Sequence, residues 1–193
     1  MSGVKAAPIM VEAFRKIPAS LKGAFLLEPR VFEDARGFFF ESYNQEAMAG
    51  AGIADPFVQD NHSCSQKNVL RGLHYQIEQP QGKLVRVAAG EILDVAVDLR
   101  RSSTTFGKWE AVCLSGENKR MFWIPVGFAH GFCVKSETAH VLYKATDFYA
   151  PQHERTLAWD DPDLGIDWQL DGAPIVSAKD RHGVALRYAA TFE

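Results

Sequence analysis

The chain has 193 residues, enough for one domain with a sizeable core and too few for several. Hydrophobic residues make up 47% and charged residues 23%, which excludes a disordered chain, and the net charge of -3 argues against an extended nucleic-acid surface. The three cysteines, Cys64, Cys113 and Cys133, match no disulfide framework or zinc pattern and read as reduced, buried small residues in a reducing compartment.

The first residues lack an apolar core long enough for a signal peptide, and the longest apolar stretch there, Ala6-Ala7-Pro8-Ile9-Met10-Val11, contains proline. No run approaches the ~18 apolar residues that span a bilayer, so the expectation is a soluble, cytoplasmic protein without membrane contact. Residues 1–20 read as a leader, loosely ordered or packed on a partner, and 21–193 as a single domain. Asn44 predicts the cap of a short helix over 45–49, ended by Gly50 and Gly52. A strand over 84–89 leads through a Gly90-Glu91 turn into one over 92–100. There Leu93, Val95, Val97 and Leu99 share one face, and Asp94, Asp98 and Arg100 the other. Further strands are predicted over 110–114, 121–124, 131–134 and 140–146, with turns at Ser115-Gly116-Glu117-Asn118 and Lys135-Ser136-Glu137. From Asp160 onward, Asp, Pro and Gly predict loops with one or two short helical turns wrapped over the body. Many short strands with regular turns make an all-β sandwich or barrel.

Four clusters set cations or histidines beside glycine and aromatic residues: Arg36-Gly37-Phe38-Phe39-Phe40-Glu41, Gln59-Asp60-Asn61-His62-Ser63, Leu70-Arg71-Gly72-Leu73-His74, and Pro125-Val126-Gly127-Phe128-Ala129-His130-Gly131-Phe132. That mixture suits a small-molecule pocket with anion-binding groups and a titratable base. Pro125-x-Gly127-x-x-His130 resembles the second motif of the cupins, small jelly-roll barrels in which that histidine points into the barrel mouth. Metal-binding cupins offer His-x-His in their first motif. Here the matching place reads His74-Tyr75-Gln76, and Glu78 is too close to be the usual carboxylate. With His74 and His130 as the remaining ligand candidates, fewer than the three a stable site needs, no metal is expected. His62, His140, His153 and His182 read as surface or structural histidines.

A neutral imidazole is the side chain best matched to base chemistry near pH 7. Asp180, in Ser177-Ala178-Lys179-Asp180, is the candidate partner for His74, although a surface turn is the commoner reading of such a segment. Tyr143, in the alternating run Val141-Leu142-Tyr143-Lys144-Ala145, is either an acid facing the barrel interior or a core tyrosine. Tyr149 shares its parity and offers a stacking surface. Arg71 and Lys83 flank His74, with Arg36 and Lys179 as further cations for a phosphorylated ligand. Strand parity sets Arg71 and His74 on opposite faces. A bulge at Gly72 would turn both inward.

Taken together, these segments resemble the dTDP-4-dehydrorhamnose 3,5-epimerase family, from Leu27-Glu28-Pro29-Arg30-Val31-Phe32 through Gln81-Gly82-Lys83-Leu84-Val85-Arg86 and Leu142-Tyr143-Lys144-Ala145-Thr146 to the segment ending at Asp180. The resemblance implies an all-β, cupin-like double-stranded β-helix (jelly roll) with a few short helices. It implies a homodimer with an exchanged N-terminal strand, and no cofactor or metal. By position, His74 matches the catalytic base, Asp180 its paired aspartate, Tyr143 the proton donor, and Tyr149 the aromatic that stacks on thymine. Lys83 is the expected stabiliser of an enolate. Arg36, Glu41, Gln59, Asp60, Asn61, Arg71, Lys83, His130, Glu154 and Lys179 fall where the family contacts the dTDP-sugar, some of them from the partner subunit. The chain departs from the family in its longer leader and in Phe148, where some members carry a second tyrosine. The competing readings are a relative acting at one carbon only, a metal-dependent cupin oxygenase and a non-catalytic nucleotide-sugar binder.

Overall fold

The computed structural model describes residues 9–11 and 13–193. The chain enters through β1 (Ile9–Val11) and β2 (Phe14–Pro18), which pair with each other, and β2 pairs in turn with β3 (Phe25–Pro29). This corrects the expected leader. Phe14 is wholly buried in one cluster with Phe25, Leu27 and Met48, so the folded body begins before residue 21, while residues 1–8 lie outside the described residues. Burying an aromatic ring is reason enough for this segment to dock. A separate hairpin follows, β4 (Phe32–Asp34) with β5 (Gly37–Phe39). Helix α1 (Gln45–Ala51) starts where expected and ends two residues later than expected. The Asn44 side chain accepts from the amides of Glu46 and Ala47 at 3.0 and 3.1 Å, and Gly52, at φ 97°, ends the helix.

The body of the fold is built from β6 (Gln59–Gln66), β7 (Val69–Gln76), β8 (Lys83–Ala89), β9 (Glu91–Asp98), β10 (Trp109–Ser115), β11 (Met121–Ile124), β12 (Phe128–Val134) and β13 (Thr138–Ala145). After them come β14 (Glu154–Thr156), β15 (Ile175–Val176) and the short α2 (Ala178–Arg181). One sheet runs β1-β2-β3-β11-β8-β13-β6, and the other runs β10-β9-β12-β7-β14 with β15 beside β7. Every strand expected from the alternation is present within a few residues, and the C-terminal part is loop with short turns, as expected.

Both sheets are covered on both faces. Val85, Phe122, Ile124 and Val141 of one sheet meet Ile92, Ala96, Leu114 and Phe132 of the other. The outer face of the second sheet is covered by Leu157, Leu164 and Trp168 of the C-terminal segment, and on the outer face of the first Phe14 of β2 and Phe25 of β3 pack under α1. This explains β9, whose apolar face packs under the C-terminal segment while Asp94 and Asp98 are also fully buried. Among the cysteines only Cys133 is buried. Cys64 and Cys113 are exposed, against expectation, because they sit on the outward parity of β6 and β10. No helix among the described residues is long and apolar enough to cross a membrane.

The feature that positions the site is a bulge where β7 crosses β12. His130 pairs with His74 and Phe132 with Arg71, so Gly131 alone faces two residues of β7, Gly72 and Leu73. The backbones come so close that a Cβ on Gly72 would lie 2.6 Å from Gly131 Cα, and one on Gly131 would lie 2.6 Å from the Arg71 carbonyl oxygen. Gly72 also holds φ at 110°, a conformation that L side chains rarely adopt. The extra residue resolves the parity conflict, and Arg71 and His74 both face the space between the sheets. Gly131→Ala is expected to lower the unfolding free energy by about 1–3 kcal/mol, the range for overpacking a close contact, and urea denaturation would measure it. A midpoint equal to the parent's would mean the strands can separate freely here.

Candidate active site

Between the sheets lies a cavity of about 660 Å³, well within the range of small-molecule sites. The first sheet supplies Gln59, Asn61, Ser63, Lys83 and Tyr143 to its wall. The second supplies Arg71, His74, His130 and Glu154, and the segment around α2 adds Ser177, Lys179 and Asp180. Tyr149 reaches in from the loop after β13. Two polar groups of this wall, Asn61 Nδ2 and Ser63 Oγ, are buried without a hydrogen-bond partner among the described residues and are open to a polar ligand or to water.

His74 and Asp180, 106 residues apart in sequence, meet here, with His74 Nε2 2.5 Å from Asp180 Oδ1. Asp180 is almost wholly buried, and its second oxygen accepts from Ser177 Oγ at 2.8 Å. Burial alone would raise this carboxyl. The hydrogen bonds from His74 and Ser177 and the nearby charges of His74 and Lys179 outweigh burial and hold it below its ordinary value. A carboxylate on Nε2 fixes that nitrogen as the one bearing hydrogen, which leaves Nδ1 as the basic atom of a neutral ring.

His130 makes a second pair, with Nε2 2.7 Å from Oδ1 of the fully buried Asp94. Burial pushes the Asp94 carboxyl up, opposed by His130 and Lys83, and its second oxygen has no partner. Glu154 accepts from Lys179 Nζ at 2.8 Å and from the Tyr149 hydroxyl at 2.9 Å. Burial raises the Tyr143 phenol and Glu154 adds to this, against Arg71 and Lys179, so Tyr143 is a neutral acid at pH 7. Lys83 is pushed down to about 8 by burial, against the attraction of Glu154 and Asp94, and no side-chain hydrogen bond contributes.

Eleven residues expected at the site from sequence thus share one cavity: Gln59, Asn61, Arg71, His74, Lys83, His130, Tyr143, Tyr149, Glu154, Lys179 and Asp180. Three others do not reach it within this chain. Arg36 is solvent-exposed in the turn of the hairpin and pairs with Asp34. Glu41 accepts from Asn44, and Asp60 turns to the opposite face of β6 to meet Lys144 at 2.8 Å. Sequence reasoning missed Asp94 and Ser177. The Ser-x-x-Asp spacing of a helix start was the available signal for Ser177, whose Oγ also accepts from the Asp180 amide at 3.1 Å. Of the lesser histidines, His62 and His140 contact each other at 3.0 Å, His182 bonds the Ala178 carbonyl and His153 lies 3.6 Å from Glu78. Among the described residues no group of three or more His, Cys, Asp or Glu is arranged to hold a metal ion.

The family described as dTDP-4-dehydrorhamnose 3,5-epimerase matches residues 18–187. The chain belongs to this family. It is 62% identical over 174 residues to the dTDP-4-dehydrorhamnose 3,5-epimerase of Pseudomonas aeruginosa, covering 90% of this chain and 96% of that protein. The crystal structure of the 3,5-epimerase RmlC of Legionella pneumophila, in complex with dTDP-4-keto-L-rhamnose, superposes with a TM-score of 0.89 at 50% identity, covering 92% of this chain and 95% of that one. ChmJ of Streptomyces bikiniensis, a 3'-monoepimerase solved with dTDP-quinovose, is similar at 34% identity with a TM-score of 0.83, covering 88% of this chain and 87% of that one. The architecture is the expected cupin-like jelly roll.

The depressed value of Lys83 is open to direct measurement. Its competitive acetylation, read by mass spectrometry, should rise through pH about 8, whereas exposed lysines follow values near 10.4. A rate profile for Lys83 matching the exposed lysines would mean that solvent reaches the ammonium.

Proposed function

We propose that the protein is a dTDP-4-dehydrorhamnose 3,5-epimerase that inverts C3 and C5 of dTDP-4-dehydro-6-deoxy-D-glucose, giving dTDP-4-dehydro-L-rhamnose for dTDP-L-rhamnose synthesis. The observation that carries this reading is a half-buried imidazole on the second sheet, His74, paired with the buried carboxylate of Asp180 and opposed across one cavity by a neutral phenol, Tyr143, on the first sheet. A base on one wall and an acid on the other suit inversion, which takes a proton from one face of a carbon and returns one to the opposite face.

The C4 ketone acidifies the hydrogens on C3 and C5. His74 Nδ1 takes the first proton, and the electron pair moves into an enolate whose charge rests on the C4 oxygen. Lys83, charged below about pH 8, stabilises that oxygen. Tyr143 donates its proton to the carbon from the other side. Exchange with solvent then clears the imidazolium and restores the phenol before the same sequence runs at the second carbon. Oxidation states are unchanged at the end, so no redox cofactor is called for. Arg71 and Lys179 are suited to the diphosphate and Tyr149 to stacking on thymine.

The protein we envisage is a cytoplasmic homodimer. Phe32, Phe38 and Phe39 of the hairpin are exposed, and Arg36 at its turn pairs with Asp34 and does not line this chain's own cavity, which suits an exchanged N-terminal element that carries the hairpin to the neighbouring site.

Turnover in deuterated water, coupled to a reductase that consumes the product, should place deuterium at both C3 and C5. His74→Ala and Tyr143→Phe should each lower kcat by about 10²–10⁴-fold. Label at one carbon only would assign a single-centre epimerase instead. Ligand binding without turnover would leave a nucleotide-sugar binder. Sedimentation should give twice the chain mass, and Phe38→Glu with Phe39→Glu should shift the population toward monomer. A monodisperse monomer for the unaltered chain would end the exchanged-arm reading.

A further inference from the structure

Gln76 closes β7, is buried to 4% exposure and does not line the cavity. Its amide is committed to neighbouring loops. Nε2 donates to the carbonyl oxygens of Gln79 at 2.7 Å and Phe148 at 3.2 Å, and Oε1 accepts from the Ala150 N–H at 2.8 Å. The contacts to Phe148 and Ala150 fall on the two residues that bracket Tyr149. The Tyr149 N–H itself donates to Gln59 Oε1 at 2.8 Å, and Gln81 Nε2 donates to the Asp147 carbonyl at 2.8 Å. Three glutamine side chains therefore satisfy one main-chain group on each of the four residues 147–150.

This arrangement answers a physical need. Residues 147–150 belong to no strand and Tyr149 is 52% exposed, so core packing does not fix the ring, whose hydroxyl alone is anchored, on Glu154. A ring tied at its hydroxyl end alone can still swing about that point, so a defined stacking surface also needs its backbone held. Glutamine suits the task because one neutral group donates and accepts at once. A glutamate could make none of the Nε2 donations and would bring charge against carbonyl oxygens. Gln76 also occupies the position at which metal-binding cupins carry the second histidine of His-x-His.

We propose that Gln76 is a positioning residue for nucleotide binding, locking the 147–150 loop so that Tyr149 is pre-set to receive the base of the dTDP-sugar. The proposal rests on the reading of Tyr149 as the stacking residue.

Gln76→Met keeps the length of the side chain and removes its donor and acceptor. With the full chain, Kd for dTDP by calorimetry and KM for the dTDP-sugar should both rise by about tenfold, as expected for a lost buried hydrogen-bond set. In the same assays kcat should change by less than about threefold, since the reacting groups are untouched. Placed on Tyr149→Ala, Gln76→Met should cost almost nothing more, because both changes act through one ring. Unchanged dTDP affinity in Gln76→Met, or losses that multiply in the double variant, would overturn the positioning role. If Tyr149→Ala leaves dTDP affinity intact, the stacking assignment fails and the proposal falls with it. If Tyr149→Ala weakens dTDP binding while Gln76→Met does not, the proposal alone fails. Should Gln76→Met not fold, Gln81→Met tests the same lock at the Asp147 carbonyl. There a rise of about threefold in Kd is expected, and no rise counts against the proposal.

Discussion

The close crossing of β7 and β12 is the constraint from which the site follows. Two glycines face each other there, Gly72 and Gly131, at a separation that admits no side chain on either. That contact permits one residue of β12 to oppose two of β7, and the added residue brings Arg71 and His74 to the same side. Without it, strand alternation would turn one of the pair away from the cavity. His74 is opposite His130 in the ladder, so the same register brings both imidazoles to one wall. Each then finds a carboxylate from elsewhere, Asp180 from the C-terminal segment and Asp94 from the adjacent β9. The covering of both sheets by α1 and by the C-terminal segment has a related effect. It leaves the strands free to direct polar side chains inward, because apolar burial is available on their outer faces too.

How much of this could be read from the sequence depends on which physical signal each residue carries. Period-two alternation gave most of the strands, and the Asn44 cap gave the start of α1. β6 carried no apolar alternation, since Gln59, Asn61 and Ser63 face a polar cavity while Asp60, His62 and Cys64 face outward. Strand β9 shows a different limit. Its two faces were separable by parity, but nothing in the pattern said that the face bearing Asp94 is interior, because the opposite face is also covered. The docking of residues 14–18 turned on Phe14, which with Ile17 flanks two cations in a short run and whose burial depends on partners far along the chain. Asp180 and Ser177 belong to a helix start that local sequence could suggest. Its arrival beside His74 is set by β15 pairing with β7 just before α2, a tertiary event with no local signature.

The cavity holds several ionisable groups, and the structure treats its cations in two different ways. Lys179 is tied to Glu154, and Arg71 donates to Ser65 Oγ at 3.0 Å. A cation with a partner in hand gains less from a new anion, since part of the attraction is already satisfied. Among the described residues Lys83 has no such hydrogen-bonded partner. Burial disfavours its charge enough to bring it down to about 8, and Glu154 and Asp94 act on it only through space. An ammonium held in that condition is poorly compensated at rest, and new negative charge beside it improves its environment as well as that of the anion. Stabilisation that appears only as charge develops lowers a barrier, whereas stabilisation already present in the bound ground state does not. The unpartnered oxygen of Asp94 fits the same logic. Burial disfavours the charge on that carboxyl too, against the pull of His130 and Lys83.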